Sequence, residues 1–150
     1  MTIKRILVAA DFSECSRSAL EFALGLAEQV GATIEVVHAW ASPAYVSPSI
    51  AVTVAPDVPS STLEVIAREE AGKSMDAFLA SVPTTQKVTG RIEFGPEAEV
   101  IVAIAEQFDL LIVGTHGRSG LAHFVLGSVA ERIVRRSKTP VLTVPTRNKN

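Results

Sequence analysis

Two unbroken apolar runs limit what this chain can fold into more than any other feature: Ile6-Leu7-Val8-Ala9-Ala10 near the start, and Leu110-Leu111-Ile112-Val113 much later. A strand with one wet face alternates apolar and polar residues, whereas short unbroken runs belong to strands covered on both faces. Such strands lie inside a parallel sheet, which needs helices above and below it. The intervening sequence supplies them. Ser13 is placed to cap a helix whose Ala19, Leu20, Ala23, Leu24 and Ala27 recur at three and four, and Gly31 suits a left-handed stop. Residues 33–40, TIEVVHAW, are rich in β-branched types and predict a second strand. Prolines 43, 48, 56 and 59 then predict a long irregular loop. Ser61-Thr62-Leu63-Glu64 has capping-box spacing and predicts a helix from there to Ser81. Residues 86–94 read as a third strand, and Pro96 suits the first turn of a helix through Phe108. After the second apolar run, Ser128-Val129-Ala130-Glu131 repeats the capping-box spacing ahead of a fourth helix, and Pro140–Val144 reads as a fifth strand.

This alternation predicts an α/β fold: one doubly wound, five-stranded parallel sheet with right-handed crossovers and helices on both faces. A chain of 150 residues, 47% of them hydrophobic, suffices for a single domain over residues 1–150. Such a sheet has a point where neighbouring strands send their connections to opposite faces, and ligands bind at the strands' carboxyl ends there. If the first and fourth strands are neighbours, Asp11 and Gly114 emerge side by side. Fourteen basic against sixteen acidic residues give a net charge of −2, hence no positive field for nucleic acid or an anionic membrane. The short apolar stretch before Asp11 cannot serve as a signal core or insert into a bilayer, which predicts a mature cytoplasmic start. Cys15, the single cysteine, reads as a small helix residue.

The stretch GTHGRSGLAHFVLGS, residues 114–128, holds four of the nine glycines. Glycine costs order unless the backbone needs its conformations or must approach something closely. One reading is a phosphate cradle: Gly127-Ser128 opens a helix whose first N–H groups are unpaired, and Gly114 and Gly117 let the upstream loop add further donors. The other is a tight turn in which Ser128 is an ordinary N-cap paired with Glu131. A dinucleotide fingerprint is excluded, because Ala9-Ala10-Asp11-Phe12-Ser13 follows the first strand. Gly72-Lys73-Ser74 imitates the end of a P-loop, but Ala67 stands where its first glycine is required. His116 and His123 have no Cys, Asp or Glu at metal spacing, so no protein-made metal site is expected. His38, following two valines, reads as a core histidine, and Asp11 can serve the start of the first helix as readily as a ligand. Arg132, Arg135, Arg136 and Lys138 read as a solvated face near a helix end.

The pattern Gly114-x2-Gly117-x9-Gly127-Ser128, with the phrases ILVAADFSECSRSALEFALGLA and VVHAW, resembles the ATP-binding type of the universal stress protein family. The resemblance implies a strand order of 3-2-1-4-5 and an ATP site. By position, it places Asp11 near the adenosine and Ala39 at a backbone adenine contact. Val113, Gly114, His116 and Gly117 fall beside ribose and phosphates, and Gly127, Ser128 and Val129 in the phosphate cradle. Ala9-Ala10 stands where some members have proline-threonine, and Ala130 where they have threonine. Any Mg²⁺ is expected to arrive on the nucleotide's phosphates and keep mostly water ligands. The function implied is an ATP-binding stress-response module, homodimeric through the strand at 141–145 and acting through a regulatory partner. A slow ATPase or autophosphorylating enzyme and a nucleotide-independent dimeric scaffold are the alternatives.

Overall fold

The two apolar runs form adjacent central strands. A computed structural model describes residues 2–41, 60–116 and 126–146. Within them, the chain runs β1 (Arg5–Ala9), α1 (Glu14–Val30), β2 (Thr33–Trp40), α2 (Ser60–Ala80), β3 (Val88–Phe94), α3 (Glu97–Ala105), β4 (Leu110–Gly114), α4 (Ser128–Arg136) and β5 (Val141–Val144). The strands form one sheet in the order β3-β2-β1-β4-β5, every pairing parallel. In β1, Ile6 and Val8 join a core with Leu20 and Leu24 of α1 and Met75 and Phe78 of α2. Leu7 and Ala9 join the opposite core with Ile101 and Ile104 of α3 and Ile133 of α4. Ile6, Leu7, Leu111 and Ile112 are fully buried, each worth roughly 1.5–3 kcal/mol of hydrophobic stabilisation.

Handedness explains the layering. The steps from β1 to β2 to β3 move one way across the sheet, and those from β3 to β4 to β5 move the other. Right-handed crossovers therefore send α1 and α2 to one face and α3 and α4 to the other. The connections part between β1 and β4, and the carboxyl ends of these strands bound a crevice.

The helix ends follow local chemistry, with corrections. Ser13 caps α1 as expected, its Oγ accepting the Ser16 N–H at 3.2 Å. Gly31 closes that helix at φ 71°, where a side chain would be strained. However, α2 is already helical at Ser60, so Ser61 lies inside the helix rather than capping it. Pro96 is the N-cap of α3 rather than a first-turn residue, and α3 stops at Ala105, short of Phe108. The Phe108 N–H then bonds Ala105 O in a turn that drops the chain into β4. The predicted loop falls at 42–59, outside the described residues. No helix among the described residues is long and apolar enough to cross a membrane.

Candidate functional site

On the β1 side of the crevice, the chain leaves the sheet abruptly. Ala10 donates its N–H to Val37 O at 2.9 Å, and two residues later Phe12 adopts φ 64°. A left-handed phenylalanine is strained and persists only where its surroundings hold it. Its ring lies 4.3 Å from that of His38 and 5.5 Å from that of Phe78. Between these positions, Asp11 Oδ1 accepts the Ser13 N–H at 3.0 Å, tightening the entry to α1. His38 is satisfied, as expected, by a bond between Nδ1 and Ala10 O at 2.8 Å. It is nevertheless a wall residue of the crevice rather than a core histidine.

On the β4 side, two glycines of one motif have different causes. A Cβ on Gly114 would stand 2.8 Å from Cys15 Sγ and 3.1 Å from the Cys15 carbonyl carbon and oxygen. Gly114 thus lets α1 seat against β4, a packing reason absent from both sequence readings. Gly127 has φ −58° and ψ 154°, a conformation open to most residues, so backbone freedom does not require glycine there. It is the N-cap of α4 and makes no side-chain cap bond, which overturns Ser128 as the cap. Ser128 is instead the first helical residue. Among the described residues, the opening N–H groups of α4 have no acceptor within the helix and no capping side chain at Gly127. Nearby, His116 Nδ1 lies 2.8 Å from Thr115 Oγ1, while its Nε2 is buried without a hydrogen-bond partner among the described residues. An orphaned buried ring nitrogen beside a cleft calls for a partner that the described residues do not supply.

These pieces line one cleft of about 540 Å³, within the roughly 300–1,000 Å³ usual for small-ligand sites. Asp11, Ala39, Val113, Gly114, His116, Gly127, Ser128 and Val129 all line it. Gly117, like Arg118 and His123, lies outside the described residues. Sequence reasoning missed the apolar walls, Phe12, Trp40, Ile101 and Ile133, and the carboxylates Glu70 and Glu97. Trp40 and Phe94, at the ends of adjacent strands, pack edge to face at 5.4 Å, a pairing visible only once register is known. The basic end of α4 is turned to ion pairs: Arg135 with Glu131 at 3.0 Å, Arg136 with Glu99, and Lys138 with Glu106 at 3.0 Å.

The universal stress protein family profile matches residues 2–145. Universal stress protein MJ0577 of Methanocaldococcus jannaschii is 42% identical over 64 residues, 41% of this chain and 40% of that protein. MJ0531 of the same organism is 26% identical over 144 residues, 94% of this chain and 81% of that protein. The matches to three curated relatives, from Synechocystis, M. jannaschii and Mycolicibacterium smegmatis, span 26%, 40% and 46% of those proteins, less than half their length. The solved structure of MJ0577 superposes with a TM-score of 0.78 at 28% identity, covering 99% of this chain and 100% of that one. A universal stress protein crystallised in complex with cAMP superposes with a TM-score of 0.61 at 28% identity, covering 98% and 100%. With its strand order, its glycine spacing and a match over nearly its whole length, the chain belongs to the universal stress protein family.

Proposed function

We propose that residues 1–150 form one nucleotide-binding domain whose cleft takes ATP, and that the bound nucleotide sets which state of the protein a regulatory partner recognises. The observation that carries this reading is Gly127: a glycine not required by its own dihedrals, on the cleft wall, at a helix start without a side-chain cap. A missing side chain there leaves backbone donors and the positive end of the helix dipole open to an anion. Gly127, Ser128 and Val129 would hold the phosphates. His116, with its orphaned Nε2, would lie beside them with Val113, Gly114 and Gly117. Asp11 and Ala39 would face the adenosine. Mg²⁺ bound with the phosphates would supply charge neutralisation while keeping mostly water ligands. The cAMP complex of a relative 28% identical to this chain supports an adenine nucleotide as the ligand class.

We also propose a homodimer through the outer edge of β5. Val141-Leu142-Thr143-Val144 ends the sheet and carries no charge or proline within the strand to protect that edge from pairing. A second copy meeting it across a two-fold axis would satisfy its outward N–H and C=O groups.

Thermal melting of nucleotide-free protein tests the ATP reading. ATP with Mg²⁺ at a hundred times Kd is expected to add roughly 2.7 kcal/mol of stability. A melt unmoved by millimolar nucleotide would refute it.

A further inference from the structure

In a parallel ladder each residue points its N–H and C=O to one side, and successive residues alternate. Val37 O accepts the Ala10 N–H, so the main-chain groups of Val37 face β1. Trp40 O accepts the Gly95 N–H at 3.0 Å, so those of Trp40 face β3. Ala39, between them in the alternation, faces the β1 side, beyond the point where β1 ends at Ala9. Were β1 one pairing longer, the Ala39 N–H would bond Ala10 O. That carbonyl instead lies 2.8 Å from His38 Nδ1. A carbonyl only accepts, so Nδ1 carries the proton and the imidazole is the donor. The same ring packs against strained Phe12, the residue on which the chain turns away from β2.

We infer that His38 is a positioning residue: by donating Nδ1–H to Ala10 O and bracing Phe12, it stops β1 from pairing further and leaves the N–H and C=O of Ala39 open to the cleft. This rests on reading the cleft as a nucleotide site. A single residue's N–H and C=O, presented side by side, match a ring edge with an acceptor beside a donor, as an aminopurine base offers. His38 would thereby set base selection without touching the base.

Two measurements on the nucleotide-free protein test His38 independently of ATP. Nitrogen-15 NMR of the imidazole is expected to show the Nδ1–H tautomer. Hydrogen exchange is expected to be at least about a hundredfold faster at the Ala39 amide than at Val37, whose N–H lies within the ladder. His38→Leu should slow the Ala39 amide toward Val37 and weaken ATP binding by about tenfold or more, the loss of one or two hydrogen bonds. His38→Asn, whose amide N–H can stand in for Nδ1–H, should keep Kd within about threefold, less than one hydrogen bond's worth. An Nε2–H tautomer, an Ala39 amide as slow as Val37 in the unmutated protein, or wild-type affinity in folded His38→Leu would each overturn the inference. If the unmutated protein binds no ATP, the nucleotide reading fails, and the tautomer and exchange data still decide what His38 does to the end of β1.

Discussion

The two ends of the sheet treat their backbone groups in opposite ways. At the amino ends the protein closes them itself: Asp109 Oδ2 accepts the N–H groups of Lys4 and Arg5 at 2.8 and 2.9 Å, and Lys4 O accepts the Thr33 N–H at 2.9 Å. At the carboxyl ends, β1 breaks off into a left-handed phenylalanine and, among the described residues, α4 begins without a side-chain cap and His116 Nε2 is buried unpartnered. Closed ends contribute stability. The open end costs some, which the fully buried Ile6, Leu7, Leu111 and Ile112 offset, and in return it presents donors that can exchange water for a ligand. The candidate site sits where the described residues leave polar groups unsatisfied.

The largest effect expected from breaking this contrast is at Gly114, which belongs to the open end by position and to the core by contact. Gly114→Val would drive a branched side chain into Cys15, whose backbone carbonyl cannot swing aside as a side-chain tip could. Denaturant unfolding should show a loss of about 3 kcal/mol or more. A loss below about 1 kcal/mol would mean that α1 yields easily and that packing is not why glycine stands there. Gly127→Val is the counterpart. Its dihedrals accept valine but valine is a poorer N-cap than glycine, so stability should fall by no more than about 1 kcal/mol. ATP affinity measured by calorimetry should fall by tenfold at least, as the side chain fills the space before the helix N-terminus. Unchanged affinity in folded Gly127→Val would move the phosphate site elsewhere.

The contrast also separates what could be read in the sequence from what could not. Strand and helix types were legible in periodicity, and the Ser13 and Gly31 caps in residue chemistry, because both are local. The family resemblance carried the strand order and gathered Asp11, Ala39 and the glycine pattern at one place, where the described members do line a single cleft. Helix starts were misjudged by two residues at Ser61 and by one at Pro96 and Ser128, since neither capping-box spacing nor the first-turn preference of proline says which neighbour first takes helical dihedrals. His38 escaped because its partner, the Ala10 carbonyl, lies across a strand pair and is fixed only by register. Gly114 escaped for the same reason, its contact with Cys15 being set by how α1 settles on the sheet.

Among the described residues, a third set of open groups lies along β5 and gives a smaller effect. Val144 O accepts the Thr115 N–H and Pro140 O the Leu111 N–H, so the alternation turns the main-chain groups of Val141 and Thr143 outward. Val144 is buried in the core, and a charge there would report unfolding rather than dissociation. Thr143→Pro is cleaner, because it removes an outward N–H and blunts the edge without touching a bond to β4. Light scattering should find a dimer before the substitution and a monomer after it. A monomeric unmutated protein, or a dimeric Thr143→Pro, would leave the edge of β5 without the proposed role.

The smallest effect belongs to the closed end, where pH separates charge from shape. The Lys4 and Arg5 N–H groups hold the exposed Asp109 carboxyl below the usual carboxylate range, because both bonds favour the ionised form. A carboxylate whose folded pKa is depressed contributes stability that is fully present above its unfolded value of about 4 and is lost as pH falls through the folded value. Asp109→Asn keeps an acceptor oxygen in place and removes the charge. Its melting temperature should therefore lie slightly below that of the unmutated protein near neutrality, with the gap closing as the buffer is taken down to about pH 2. A gap of constant size down to that pH would assign the loss to misplaced geometry at the β1–β4 seam, and the amino end would then be closed by fit rather than by ionisation.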